Sequence, residues 1–375
     1  MKHIVVNTRL LLPGTTEGVA RFATEVLQRI VSNHPEVKFT FLFDRPYADE
    51  YLYGPNVEPI VVGPPARHPV LWKMWFHWTA KRIVERLKPD LYFSPEFYIS
   101  PDISVPVVST FHDIAYEHFP GDLANSWHRQ YLLKWSPIYA EKSDHILTVS
   151  EFSKDDMVKT YGTPADKISV VYNGASGQFH PISEEKKQAI RDRYTDGKPY
   201  FLFVGTIQPR KNLPNLFEAF AKYKDQTGAP DKLMIVGKKG WNYDPIFAAH
   251  KANAYADDII FPGPKYGPDL NDVYGASKAL SYTPRFEGYG LPILEAMFSE
   301  TPIICSKVTC MPEVYGDAAI EVDPYNVEEI TQSLLTIHTQ PEVAADLIEK
   351  GRKQREKFSW EQTANGVWKA LEAYL

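Results

Sequence analysis

Short runs of β-branched and aromatic residues alternate with longer stretches in which apolar residues return every three or four positions. The alternation holds along nearly the whole chain. In the first half the strand-like runs are HIVVNT (3–8), KFTFLF (38–43), EPIVV (58–62), DLYFS (90–94), VPVVST (105–110), HILTVS (145–150) and ISVVY (168–172). Helical patterns lie between several of them, over about 17–33, 69–88, 124–142 and 151–161. Strands separated in this way pair mostly in parallel, in a sheet covered on both faces.

The pattern then pauses. Residues 173–198, NGASGQFHPISEEKKQAIRDRYTDGK, begin with small and turn-forming residues and carry no strand, only a polar helix. The series resumes with PYFLFVG (199–205), KLMIVG (232–237), DIIFPG (258–263), KALSYTP (278–284) and TPIIC (301–305), and three helices close the chain at about 326–338, 341–356 and 359–374. The expected fold class is α/β, with two Rossmann-like doubly wound domains facing a central cleft. The expected boundaries are 1–178 and 179–358, with 359–375 as a terminal helix. Ligands of open α/β sheets bind at the carboxyl ends of strands, near the reversal of strand order, so candidate chemistry is sought there.

Composition narrows the options. A length of 375 residues favours two cores, and 44% hydrophobic with 23% charged residues is ordinary for a globular protein. The formal net charge of −6 gives no global field for nucleic acid, so any phosphate site must be local. Cys305 and Cys310 are the two cysteines, too few for a disulfide scaffold, and they fit a reducing, cytosolic setting. The opening MKHIVVNTRLLLPG reads as a strand rather than a signal peptide, and no stretch reaches the roughly 18 apolar residues of a membrane span.

Five segments are candidates for chemistry. In PRFEGYGLPILEAM (284–297), Glu287 and Glu295 are separated by a loop with Gly288 and Gly290, and Pro292 suits a first helical turn. The N–H groups of 288–291 can point at an anion, while the two carboxylates suit neutral hydroxyls such as those of a sugar and a ribose. The plainer reading is a glycine turn with two solvated glutamates. In FLFVGTIQPRKN (201–212) a buried strand ends at Gly205, and Arg210 and Lys211 precede a helix, a combination that can bind a diphosphate. The plainer reading is two solvated cations, and the segment is no Walker loop. In STFHDIAYEHFP (109–120), His112 and Asp113 follow a strand directly, although neighbouring strand residues point to opposite faces. The loop LLLPGTTEGVARFATE (10–25), with Gly14 and Gly18, lacks the dinucleotide fingerprint. In HPVLWKMWFHWTAKRIVERL (68–87), Trp72, Trp75 and Trp78 recur at helical spacing among Lys73, Lys81, Arg82 and Arg86. This is either a core stripe with a solvated basic face or a helix for a membrane surface or lipid-linked acceptor.

Taken together, these motifs resemble the family 4 glycosyltransferases along nearly the whole chain. The resemblance rests on EGVARF (17–22), KPDLYFSP (88–95), VVSTFHDIAYEHFP (107–120), ILTVSEFSKDDM (146–157), VVYNG (170–174), VGTIQPRKN (204–212), FEGYGLPILEAM and MPEVYGDAAIEVDPYN (311–326). It implies the GT-B fold, with the donor held mainly by the second domain and helix 359–374 returning to the first. By the same resemblance Glu295 bonds the donor ribose and Glu287 the donor sugar. Backbone amides at Tyr289, Gly290 and Leu291 meet sugar or diphosphate. Arg210 and Lys211, beyond Gly205, neutralise the leaving diphosphate. His112 approaches the donor sugar, and Gly18 lets the first loop close over the phosphates. Two positions depart from the family pattern: Glu17 stands where many relatives have a glycine, and Thr206 where many have an arginine.

The implied activity is that of a retaining hexosyltransferase. The first choice is mannose from GDP-mannose, followed by UDP-glucose and UDP-N-acetyl sugars. The acceptor is a hydroxyl of a glycan or lipid-linked molecule in polysaccharide biosynthesis. No metal and no other cofactor is expected, since no carboxylate cluster suits Mg²⁺. The setting is cytoplasmic, extending to peripheral contact with the inner face of the membrane. The alternatives are a nucleotide-sugar epimerase and a catalytically inactive nucleotide-sugar-binding protein. A phosphorylase would need a pyridoxal lysine, and an NAD oxidoreductase the missing glycine fingerprint.

Overall fold

A computed structural model describes residues 1–12, 18–66, 68–122, 126–175 and 177–375. Gly14 and Glu17 of the first loop lie outside the described residues. The chain divides into two compact units, Met1–Gly174 with Ser359–Leu375, and Ala175–Phe358. Gly174 lies close against the terminal helix, since a Cβ there would stand 2.1 Å from the backbone N of Trp360.

The first unit is a seven-stranded parallel sheet. Its strands are β1 (His3–Asn7), β2 (Lys38–Phe43), β3 (Val57–Val61), β4 (Leu91–Ser94), β5 (Val107–Phe111), β6 (His145–Thr148) and β7 (Ile168–Val170). Their order is β3-β2-β1-β4-β5-β6-β7, so the strand order reverses between β1 and β4. The inner strands are buried along their length and mostly apolar, with Ser94, Ser109 and Thr110 as buried polar exceptions. Helix Gly18–Asn33 presents Phe22, Val26 and Ile30, one helical face, to the interior. Helix Trp360–Glu372 belongs to this unit, where Trp368 stacks on His34 at 3.6 Å and the Thr363 hydroxyl donates to the Tyr172 carbonyl at 2.6 Å.

The second unit has a six-stranded parallel sheet in the order β10-β9-β8-β11-β12-β13, reversing between β8 and β11. The strands are β8 (Tyr200–Val204), β9 (Lys232–Val236), β10 (Ile259–Ile260), β11 (Ala279–Tyr282), β12 (Ile303–Ser306) and β13 (Ile320–Val322). Gly237 is required by close approach of backbones, since a Cβ there would meet the Gly205 carbonyl oxygen at 1.9 Å. Among the described residues no helix is long and apolar enough to cross a membrane.

Candidate active site

β8 and β11 are adjacent, pairing Phe201 with Ala279 and Leu202 with Leu280, so the loops leaving their carboxyl ends meet. The first loop turns at Pro209–Lys211 and enters helix Leu213–Thr227 through Asn212, which adopts a left-handed φ of +60°. That turn is cross-tied to the loop after β11. The Arg285 amide donates to the Arg210 carbonyl (2.9 Å), and the buried Asn212 side chain donates to the carbonyls of Thr283 (3.1 Å) and Pro324 (2.7 Å). The cations of one loop are thereby delivered to the glutamate of the other. Lys211 Nζ donates to Glu287 Oε1 at 2.5 Å and to the Tyr282 hydroxyl at 2.9 Å. The Arg210 guanidinium stands 3.1 Å from the same Oε1 and donates to the Phe286 carbonyl.

Both Lys211 and Glu287 are 8% exposed, which excludes the reading of solvated cations and a solvated glutamate. Burial pushes the Glu287 carboxyl upward, but Arg210 and then Lys211 outweigh it and hold its pKa below the ordinary value. Burial, followed by the Glu287 charge, raises the Tyr282 hydroxyl and the thiols of Cys305 and Cys310, keeping all three neutral. Two cations thus share one carboxylate oxygen. The backbone around Glu287 is fixed separately: its amide donates to the Thr309 hydroxyl (3.3 Å), and its carbonyl accepts from the Cys310 thiol (3.1 Å).

Helix Leu291–Phe298 begins four residues beyond Glu287, capped by Gly290 at a φ of +92°. Pro292 occupies its first turn, where a missing N–H removes no hydrogen bond. The Ile293 amide donates to the Gly290 carbonyl at 2.9 Å, tightening this first turn. Tyr289 is buried with its ring edge-on to Phe358 at 6.4 Å. Glu295 lies one turn into the helix, 6% exposed, and accepts from the Tyr274 hydroxyl at 2.8 Å.

His112 and Gly18 belong to the first unit. His112 directly follows β5; its Nε2 donates to the Pro95 carbonyl at 3.0 Å, and its ring meets Phe22 edge-on at 4.9 Å. Burial lowers its pKa, the Pro95 contact opposing. Asp113 turns instead to the backbone, accepting from the Ala115 amide at 3.0 Å. Gly18 starts its helix with φ +55°, a conformation that favours glycine, and a Cβ there would meet nothing within 4 Å. The tryptophan helix divides its three rings: Trp75 is fully buried, Trp72 is half-buried with its indole N–H on the Ala66 carbonyl (2.6 Å), and Trp78 is 60% exposed. A groove of about 390 Å³ beside Trp78 is lined by Lys73, Lys81 and Arg82, with Glu85 and Asp102.

Two family models match the chain: Glycosyltransferase Family 4 over residues 16–176 and Glycosyl transferases group 1 over residues 184–354. The O-antigen chain mannosyltransferase B of Escherichia coli is 31% identical over 296 residues, covering 76% of this chain and 74% of that relative. The chain belongs to the family 4 glycosyltransferases. The O-antigen chain mannosyltransferase RfbU of Salmonella typhimurium is 27% identical over 274 residues, covering 73% of this chain and 72% of the relative. Sucrose-phosphate synthase from Thermosynechococcus elongatus matches in fold, with a TM-score of 0.78 at 16% identity over 100% of both chains. The transferase therefore has the GT-B fold of two Rossmann-like domains.

In this glycosyltransferase the structure joins Arg210, Lys211 and Glu287 in one buried cluster at the β8/β11 reversal. Glu295 accepts from the Tyr274 hydroxyl. Sequence reasoning missed both tyrosines that complete these sites. Tyr282 ends a strand that reads simply as apolar, and Tyr274 lies 21 positions before Glu295, a separation no local pattern announces. Asn212, the residue that ties the two loops, was legible only as the last letter of PRKN.

Proposed function

We propose that this glycosyltransferase moves mannose from GDP-mannose to a hydroxyl of a glycan or lipid-linked acceptor, with retention and without a metal ion. The observation that carries the donor half is the Arg210–Lys211–Glu287 cluster, two cations on one carboxylate oxygen at the point where the second sheet reverses. As the bond from the sugar to the nucleoside diphosphate breaks, negative charge grows on the departing oxygen. Fixed cations in a buried setting stabilise that charge without reorganising, and helix N–H dipoles add to them. In this reading Arg210 and Lys211 do the work a divalent ion does elsewhere. Glu287 holds the two cations through Oε1 and offers Oε2 to a sugar hydroxyl. Glu295, oriented by Tyr274, accepts from the ribose hydroxyls. Amides at Tyr289, Gly290 and Leu291 receive phosphate or sugar oxygens, beside the backbone opening at Gly205.

Retention is assigned to front-face attack, in which the acceptor hydroxyl enters on the leaving-group side; no covalent nucleophile is assigned. His112, neutral through burial, is the first unit's group acting on the donor sugar, and Gly18 the hinge of its first loop. Mannose and a polysaccharide acceptor are supported by the O-antigen chain mannosyltransferases among the relatives. The exposed Trp78 beside Lys73, Lys81 and Arg82 supports peripheral docking on the cytoplasmic face of a membrane that carries a lipid-linked acceptor.

Thermal shift with GDP-, UDP-, ADP- and dTDP-sugars, followed by transfer assays in EDTA, tests the reading. A donor at 100 times its Kd stabilises by about 2.7 kcal/mol. GDP-mannose is expected to give the largest shift, and transfer to persist in EDTA. A larger shift with UDP-glucose rejects the donor, and loss of transfer in EDTA rejects the metal-free chemistry.

A further inference from the structure

We infer that the buried Arg9–Glu96 pair is a positioning device for His112: it fixes the segment after β4 so that the Pro95 carbonyl takes the Nε2–H of His112, leaving Nδ1 of the neutral ring as its acceptor. The inference rests on the reading of His112 as a group that acts on the donor sugar.

The pair occupies the reversal of the first sheet. Asn7 ends β1 and Arg9 lies two residues on; Ser94 ends β4 and Glu96 lies two residues on. Arg9 donates from Nε to Glu96 Oε1 and from Nη2 to Oε2, both at 2.5 Å. Asn7 Nδ2 donates to Glu96 Oε1 (2.7 Å) and to Ser94 Oγ (3.0 Å), and its own Oδ1 accepts from the Arg9 amide (3.3 Å). The guanidinium carbon also lies 4.9 Å from the Tyr98 ring centroid and 5.6 Å from that of Phe76. Arg9, Glu96 and Asn7 are 8%, 4% and 1% exposed, so this network is closed to solvent.

Pro95 sits between the two pinned residues, Ser94 and Glu96, and its own ring fixes φ. The direction of its carbonyl is therefore set from both sides. The Thr110 amide, one strand over, reaches the Glu96 carbonyl at 3.4 Å and ties this segment to β5, whose end carries His112. A carbonyl can only accept, so the His112 nitrogen 3.0 Å from it carries the hydrogen. Stability alone does not account for such a pair. A buried ion pair is often matched or exceeded by apolar side chains of similar volume. A bidentate, planar contact supplies instead a fixed orientation.

The test uses the full chain carrying Arg9→Met with Glu96→Leu. Three readouts are taken: melting temperature, ¹⁵N shifts of the His112 ring assigned by their loss in His112→Gln, and kcat and KM for GDP-mannose. The double variant is expected to melt within a few degrees of the parent. Its His112 ring is expected to lose the single Nε2–H form for a mixture of tautomers. Its kcat is expected to fall on the order of 10- to 100-fold with donor KM little changed, the cost of a misplaced group. An unchanged tautomer with unchanged kcat overturns the proposal. Should the double variant not fold, Glu96→Asp, which keeps both charges but shortens the reach, decides by the same ring signals: a tautomer mixture supports the pair's role, and an unaltered ring refutes it. Full activity of His112→Gln would reject the catalytic reading of His112, while the ring signals would still decide what positions it.

Discussion

The two sheets reverse their strand order at equivalent places, and the loops there are built from the same kinds of residue, yet their ion pairing differs. At the β1/β4 reversal one arginine meets one glutamate, bidentate and closed. At the β8/β11 reversal two cations share one oxygen of one glutamate. Topology alone marks both places as ligand ground. The arrangement separates them: the first reversal holds one closed bidentate pair, and at the second two cations converge on one carboxylate oxygen, the arrangement proposed above for a diphosphate. Fold similarity therefore does not make the two Rossmann-like units equivalent, and the residues of the loops leaving the strands decide what each can hold.

The largest expected effect comes from removing one of the second site's two cations. Lys211→Met keeps the aliphatic stem and removes the charge, and Arg210 still pairs Glu287, so the fold should persist. Turnover should fall on the order of 10²–10³, the usual cost of one lost charge-stabilising donor. Steady-state kinetics beside a melting curve checks it: near-normal turnover would show that the second reversal is no more functional than the first.

Most of the fold was legible in the sequence because buried parallel strands are nearly continuous apolar runs. KFTFLF, for instance, is β2 in full, and the helix ending at Tyr161 is followed by a left-handed Gly162. The exceptions are informative. DIIFPG yields a strand of two residues because Phe261 begins the departure toward the positive-φ turn at Gly263. IEV of β13 is too short and too polar to show periodicity. In the site, Arg210, Lys211, Glu287 and Glu295 carried local signals, a cationic turn and a glycine-rich helix start. Arg9 and Glu96 carried none, being 87 positions apart and joined only when β1 and β4 pair. The tryptophan helix was ambiguous because its spacing fits both core and surface. It winds as a π-helix over Trp75–Ala80, and its rings divide between the two.

A smaller effect sharpens the contrast through pH. The Glu287 pKa is held below its ordinary value of 4.5 in the folded protein. Its stabilising contribution is therefore complete above about pH 4.5 and is lost as pH falls through the lower, folded value. Urea melts across this acid range should show a shallower acid loss for Glu287→Gln than for the parent. Identical acid limbs would mean that the carboxylate is not engaged with Arg210 and Lys211 as described.

The central claim is that the paired cations at the second reversal, and not the closed pair at the first, receive the nucleoside diphosphate. Hydrogen exchange of the full chain with and without GDP reads this directly. The account predicts slowed exchange in the segments spanning 205–212 and 286–295, with 7–12 and 94–98 unchanged. Protection confined to the segments around Arg9 and Glu96 would contradict it.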